Sequence, residues 1–149
     1  MNAQAWKFAD TLIWKWSNSC SFASDMATAH RLIDEVMTQI ENMEWSSKEK
    51  FAINMALEEA LVNAVQHGNN SDPNKNVHFT CNLNDNLLYV KIEDEGPGFD
   101  PDAIPDPTDE EHILDNHGRG VLLIRSFVTN VRWNDKGNLI EFEKERAVG

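Results

Sequence analysis

A chain of 149 residues, 41% hydrophobic and 26% charged, is long enough to bury one sizeable core without disulfides or a structural metal. Its 25 acidic residues against 13 basic ones give a formal net charge of −12, which argues against general affinity for a nucleic-acid backbone or an anionic membrane surface and otherwise favours solubility. Two cysteines, Cys20 and Cys81, make no disulfide framework and point to a reducing cytoplasm; no apolar run approaches the roughly 20 residues that span a bilayer, and the N-terminus does not read as a signal peptide.

The first predicted element is an N-terminal strand region within residues 1–20, where "WKFADTLIWKW" is aromatic and partly alternating. "SNSCSFAS" then reads as a loop ending in helix-capping serines. From about Asp25 to Asn42, Met26, Ala29, Ile33, Val36, Met37 and Ile40 fall on one helical face. A second helix is predicted from about Ser47 to His67, with Ser46 or Ser47 as N-cap, Glu49 placed for a capping box and Gly68 as the stop. "VHFTCNL" and "NLLYVKIED" form a predicted antiparallel hairpin around Asn84-Asp85. Residues 95–117, with three prolines and little periodicity, read as a long loop or lid. "GRGVLLIRSFV" is expected to be a helix starting at its glycines, and "TNVRWND" with "NLIEFEKE" a final hairpin. Such segregated runs predict one α+β domain over 1–149, a two-layer sandwich with a mostly antiparallel, mixed sheet covered by helices on one face.

The second helix carries a polar strip. Most of its circumference is apolar, as for a largely buried helix. One sector instead groups Glu59, Asn63 and Gln66, flanked by Ala52, Ala56 and Ala60. Glu59 and Asn63, four apart, are stacked neighbours, so this sector either faces water or presents a carboxylate and an amide able to bind a hard cation or orient a hydroxyl. Glu58 points into the apolar sector and calls for a place at the sheet edge or a basic partner. His67, at the helix C-terminus, is expected to interact with the helix dipole.

Two glycine pairs punctuate the second half. "DEGPGFDP" puts far more backbone freedom after a strand than a two-residue hairpin turn needs. "HGRGVLLI" places Gly118 and Gly120 where a loop becomes a helix, with Arg119 between them. The first amides of a helix lack partners and carry the positive end of its dipole, so this is either a tight turn or an anion site. Neither glycine pair completes a Walker A loop or a dinucleotide fingerprint. His112 and His117 have no further ligands at zinc spacing.

Taken in order, "EEALVNAVQHGNN", "DEGPGFDP" and "HGRGVLLI" resemble the N box and two glycine boxes of the GHKL ATPase superfamily. Over about residues 20–145 the chain looks most like bacterial anti-sigma-factor serine/threonine kinases. The resemblance implies the Bergerat α/β sandwich and the cofactors ATP and Mg²⁺. It implies Asn63 as the Mg²⁺ ligand, Glu59 as general base, and Asp94 as acceptor from the adenine amino group. It further implies Gly96 and Gly98 as a floor near adenine and ribose. Gly118 and Gly120 would deliver amides to the phosphates, with Arg119 adding charge, under a lid at 95–117. Implied partners are a sigma factor and an antagonist (anti-anti-sigma) protein, with a homodimer and no direct nucleic-acid or membrane contact.

Two departures separate the chain from those kinases. Asn116-His117 stand where a basic residue is often found before the second glycine box, and Gly137-Asn138 where Gly-Thr is usual. Alternatives to the kinase are therefore a nucleotide-gated binding module without phosphoryl transfer and a stand-alone histidine-kinase ATPase domain acting in trans. A purely structural protein also stays open.

Overall fold

The computed structural model describes residues 6–8, 13–99 and 116–147, with only the backbone course given for 116–119. Its elements run β1 (Trp16–Ala23), α1 (Met26–Glu41), α2 (Ser47–Val62) continuing into a π-helical turn (Asn63–Gly68), β2 (Asn76–Leu83), β3 (Leu87–Glu93), α3 (Asn116–Phe127), β4 (Asn130–Trp133) and β5 (Leu139–Glu145). Most of the expected lid, and much of the N-terminal region, lie outside the described residues.

The strands form one sheet in the order β1-β2-β3-β5-β4, and all four pairings are antiparallel. The sheet is α+β in organisation, as the segregated runs predict, and no parallel pair occurs among the described strands. β5 enters between β3 and β4, so the turn before it, at Gly137-Asn138, lies beside the end of β3 at Asp94. That insertion builds the site.

Strand alternation sets the two faces. Val77, Phe79, Cys81 and Leu83 of β2, Leu88, Val90 and Ile92 of β3, and Ile140 and Phe142 of β5 point inward. They meet Ala29, Ile33, Val36 and Ile40 of α1 and Ile53, Leu57 and Leu61 of α2 in one core. Each fully buried side chain of this size contributes about 1.5–3 kcal/mol relative to exposure. Cys20 and Cys81 are both free thiols.

The outer face is polar and partly covered by residues 6–8. Glu143 of β5 is fully buried there. Its carboxylate accepts from the Lys7 amide (2.8 Å), the Phe8 amide (3.1 Å) and Asn130 Nδ2 (2.8 Å). Phe8 stacks on Tyr89 at 4.2 Å, and the Arg132 guanidinium lies 4.2 Å from the Trp6 ring centre.

Three sequence expectations are corrected. "SNSCSFAS" is not a loop, because most of it is β1. Its alternation was hidden: the inward side carries Trp16, Asn18, Cys20 and Phe22, the outward side Ser17, Ser19 and Ser21. The cap of α1 is Asp25 rather than a serine, accepting from the Ala27 amide and the Thr28 hydroxyl. Ser24 instead is buried and donates to the Lys75 carbonyl. Finally, α3 begins at Asn116, two residues before the glycines. The Ser46/Glu49 capping box forms as predicted, and Glu49 also accepts from the Ala147 amide. Among the described residues no helix is long and apolar enough to cross a membrane.

Candidate functional site

A cleft opens between the end of α2 with its π turn on one side, and the segment after β3 with the β4–β5 turn on the other. Ile92 and Ile140 line it from the sheet. Ala60, Asn63, Ala64, His67 and Gly68 line it from the helix, and Asp94, Pro97, Gly98, Phe99, Trp133 and Asn138 from the opposite side.

Asp94 marks one end. Its main chain is held twice by Asn138: the Asp94 amide donates to the Asn138 carbonyl at 2.9 Å, and Asn138 Nδ2 donates to the Asp94 carbonyl at 2.8 Å. Asn134 supports this turn in the same way, since its Nδ2 donates to Asn138 Oδ1 at 2.8 Å and its Oδ1 accepts from the Gly137 amide at 2.7 Å. The Asp94 carboxylate accepts from the Gly96 amide at 2.8 Å. Burial pushes its carboxyl above the usual range, against the pull of that amide. A buried carboxylate with one donor among the described residues retains acceptor capacity toward a ligand N–H.

The glycines answer the question of excess backbone freedom. A Cβ on Gly96 would lie 1.9 Å from the Gly68 carbonyl oxygen, so Gly96 sits under the π turn rather than in the cleft lining. Gly98 (φ +79°) and Gly137 (φ +81°) adopt the left-handed region and press, respectively, on the Lys136 and Phe99 carbonyls. The stretch thus locks the strand end to two neighbouring backbones. Gly98 lines the cleft and Gly96 supports it from behind.

Glu59 and Asn63 mark the other end, and the tertiary structure decides which way their strip faces. Ala52, Ala56 and Ala60 beside it are buried. Gly120 of α3 packs directly against it: a Cβ there would stand 2.8 Å from Glu59 Oε2 and 3.2 Å from Asn63 Nδ2. Gly120 therefore lets α3 approach the carboxylate and the amide together. Gly118 lies within the first turn of α3, whose amides have no acceptor inside the helix, whereas Gly120 lies just beyond that set. The side chain of Arg119 is outside the described residues.

The helix changes pitch at Asn63. An i→i+5 turn advances by a smaller angle per residue than an α-helix, and such turns recur at functional sites. Gln66, in phase with Glu59 and Asn63 on an α-helical wheel, is consequently exposed and away from the cleft, while His67 joins the lining. Glu58 is accounted for by His30 of α1, 3.1 Å away.

Sequence reasoning missed Asn69. It is fully buried and its amide donates to Ser24 Oγ and the Asn76 carbonyl, both at 2.9 Å, while its carbonyl oxygen accepts from the Glu95 amide at 2.8 Å. It ties β1, β2 and the segment after Asp94 to the π turn. Only its place beside the helix-stopping Gly68 signalled it. Phe99 and Trp133 were missed too, because nothing local marks them as cleft residues. Among the described residues no group of three or more His, Cys, Asp or Glu is placed to hold a metal; hard-oxygen ligation at the Asn63 end would come from Asn63, with Glu59 adjacent. The described arrangement thus offers a buried carboxylate at Asp94 and, beside Gly120 of α3, a carboxylate and an amide at Glu59 and Asn63.

Comparison with known proteins supplies the family. Residues 22–144 match the family described as the histidine kinase-like ATPase domain. The chain is similar to an anti-sigma F factor of Oceanobacillus iheyensis, at 29% identity over 76% of this chain and 79% of that protein. It is likewise similar to an anti-sigma F factor of Shouchella clausii, at 30% identity over 62% of this chain and 65% of the relative. With the family match running from the end of β1 into β5, and with an antiparallel sheet backed by helices, the chain belongs to the histidine kinase-like ATPase domain family.

Proposed function

We propose that this protein is an ATP- and Mg²⁺-dependent serine/threonine protein kinase of the anti-sigma-factor type. It holds a sigma factor inactive and phosphorylates an antagonist protein, so that partners are switched by the phosphorylation state. The observation that carries the reading is the packing of Gly120 on both Glu59 and Asn63, which sets a carboxylate and an amide beside a helix start at one end of a cleft that has a buried Asp94 at the other.

The residues present fit the nucleotide. Asp94 offers an acceptor to an amino group on the base, Gly98 lines the cleft, and Gly96 backs it. Asn63 would offer a hard oxygen to Mg²⁺, and the first-turn amides of α3, Gly118 among them, would serve the phosphates, together with Gly120 and with Arg119 adding charge. When bound, Mg-ATP supplies the transferable phosphoryl group and the charge neutralisation that phosphoryl transfer needs. Glu59 takes the proton of the attacking serine or threonine hydroxyl, a poor nucleophile without a base in reach. Of the lid expected at 95–117, Pro97, Gly98 and Phe99 belong to the cleft wall and Asn116 opens α3, which confines the proposed lid to residues 100–115. The active species is a cytoplasmic homodimer with no direct nucleic-acid contact.

The test is incubation with Mg-ATP and a cognate antagonist. Acid-stable phosphoserine or phosphothreonine on the antagonist, lost in Glu59→Ala, supports the kinase. Tight ATP binding without transfer to any partner would replace it with a nucleotide-gated binding module. That second reading is favoured by Asn116-His117, which leave the γ-phosphate end without the usual basic residue. Asn63→Ala is expected to weaken Mg-ATP much more than metal-free ATP, and equal losses would remove Asn63 from the metal.

A further inference from the structure

The cleft wall opposite the π turn contains an arrangement that the family motifs leave without a role. Trp133 closes β4, paired with Ile140 of β5, and is half-buried where it borders the cleft. The Arg125 guanidinium of α3 lies 5.2 Å from its ring centre. The Phe99 ring stands 6.2 Å away at 80°, an edge-to-face contact. The indole is thus held by a cation and by a second aromatic ring, in a wall that also contains Asp94 and Asn138. Indole offers a large apolar face that gains most from a flat partner, and a cation beside it fixes its orientation.

We propose that Trp133 is the base-stacking, specificity-determining residue of the cleft, and that Arg125 is the positioning residue that holds its ring. The proposal rests on the nucleotide reading above and adds the selection that a carboxylate cannot make. Asp94 distinguishes bases by their amino group, which adenine and cytosine share. A stacking wall distinguishes them by face area, because a purine covers more of an indole than a pyrimidine does. Arg125 lies on the helix that brings Gly120 to Glu59 and Asn63, so one helix contacts both the Glu59/Asn63 end and the Trp133 wall.

The experiment is calorimetric titration of the full chain with Mg-ATP and Mg-CTP, alongside tryptophan emission, for wild type, Trp133→Phe, Trp133→Leu and Arg125→Gln. Base–aromatic stacking corresponds to a loss on the order of 5- to 150-fold when the ring is removed. Trp133→Leu is expected to lose ATP affinity in that range and to bring the ATP/CTP preference toward parity. Trp133→Phe is expected to keep most of the preference while losing the emission change on ATP binding. Arg125→Gln is expected to fall between wild type and Trp133→Leu in the ATP/CTP ratio. An unchanged ratio in folded Trp133→Leu would overturn the assignment while leaving the nucleotide reading intact. Wild-type protein that binds neither nucleotide would remove both.

Discussion

The bare Cα of Gly68 lies under the carboxylate of Asp94: a Cβ built at position 68 would stand 2.4 Å from Asp94 Oδ2. The glycine that ends the π turn therefore makes the room in which the buried acid sits. Gly68→Ala forces either the turn or the acid to move, and overpacking of this kind costs about 1–3 kcal/mol. The expected outcome is a lower midpoint in chemical denaturation together with weakened ATP binding. Wild-type affinity in this variant would show that Asp94 is not held by the π turn.

Asp94→Asn separates binding from folding. Burial raises the carboxyl pKa in the folded state, so the native fold holds the proton more tightly than the unfolded chain does. The stabilising contribution of that proton is present below the unfolded value, near 4. It is lost as pH rises through the folded value, and at neutral pH the ionised group costs stability. Asn keeps an oxygen for the Gly96 amide and carries no charge to desolvate. Melting curves should show Asp94→Asn as stable as wild type or more so at pH 7, with any advantage vanishing in acid. Adenine-nucleotide affinity should fall by at least about tenfold, since one charge-assisted hydrogen bond contributes roughly 1.5–3 kcal/mol.

Asn69→Ala removes three hydrogen bonds from a site with no solvent access. At about 1 kcal/mol each, the expected loss is on the order of 3 kcal/mol, visible as a shifted urea midpoint with little change in slope. Asn69→Asp keeps an acceptor for the Glu95 amide but loses both donors, and should recover only part of that loss.

Glu143→Ala tests the cover on the outer face. Without the carboxylate, the Lys7 and Phe8 amides lose the acceptor that draws residues 6–8 onto Tyr89 and Arg132. Hydrogen exchange at these two amides should accelerate while β2 and β3 stay protected. Unchanged exchange would mean that the aromatic contacts alone hold the segment.

Local pattern was enough for much of the fold. The one-sided spacing from Met26 to Ile40, the Ser46/Glu49 box and the hairpin at Asn84-Asp85 each appear where propensity and periodicity place them, because each depends on residues within a few positions of one another. β1 did not, since a strand whose inward side includes Asn18 and whose outward side is serine shows no hydrophobic alternation. Only pairing with β2 makes it a strand.

For the site, the sequence by itself determined the chemistry on offer: a Glu59/Asn63 pair one helical turn apart, an acid closing a strand, and glycines at two transitions. The tertiary structure decided what these groups face. The helical wheel could not tell whether the Glu59/Asn63 strip met water or protein, because that depends on α3 arriving with no side chain at Gly120. Nor could it show the π turn that removes Gln66 from the strip, since a wheel assumes one α-helical pitch throughout. Trp133 and Arg125, eight residues apart and on different elements, meet where α3 and β4 pack together, a contact that neither local stretch announces. Residue type and spacing are local properties, whereas close backbone approach is a property of the assembled layers.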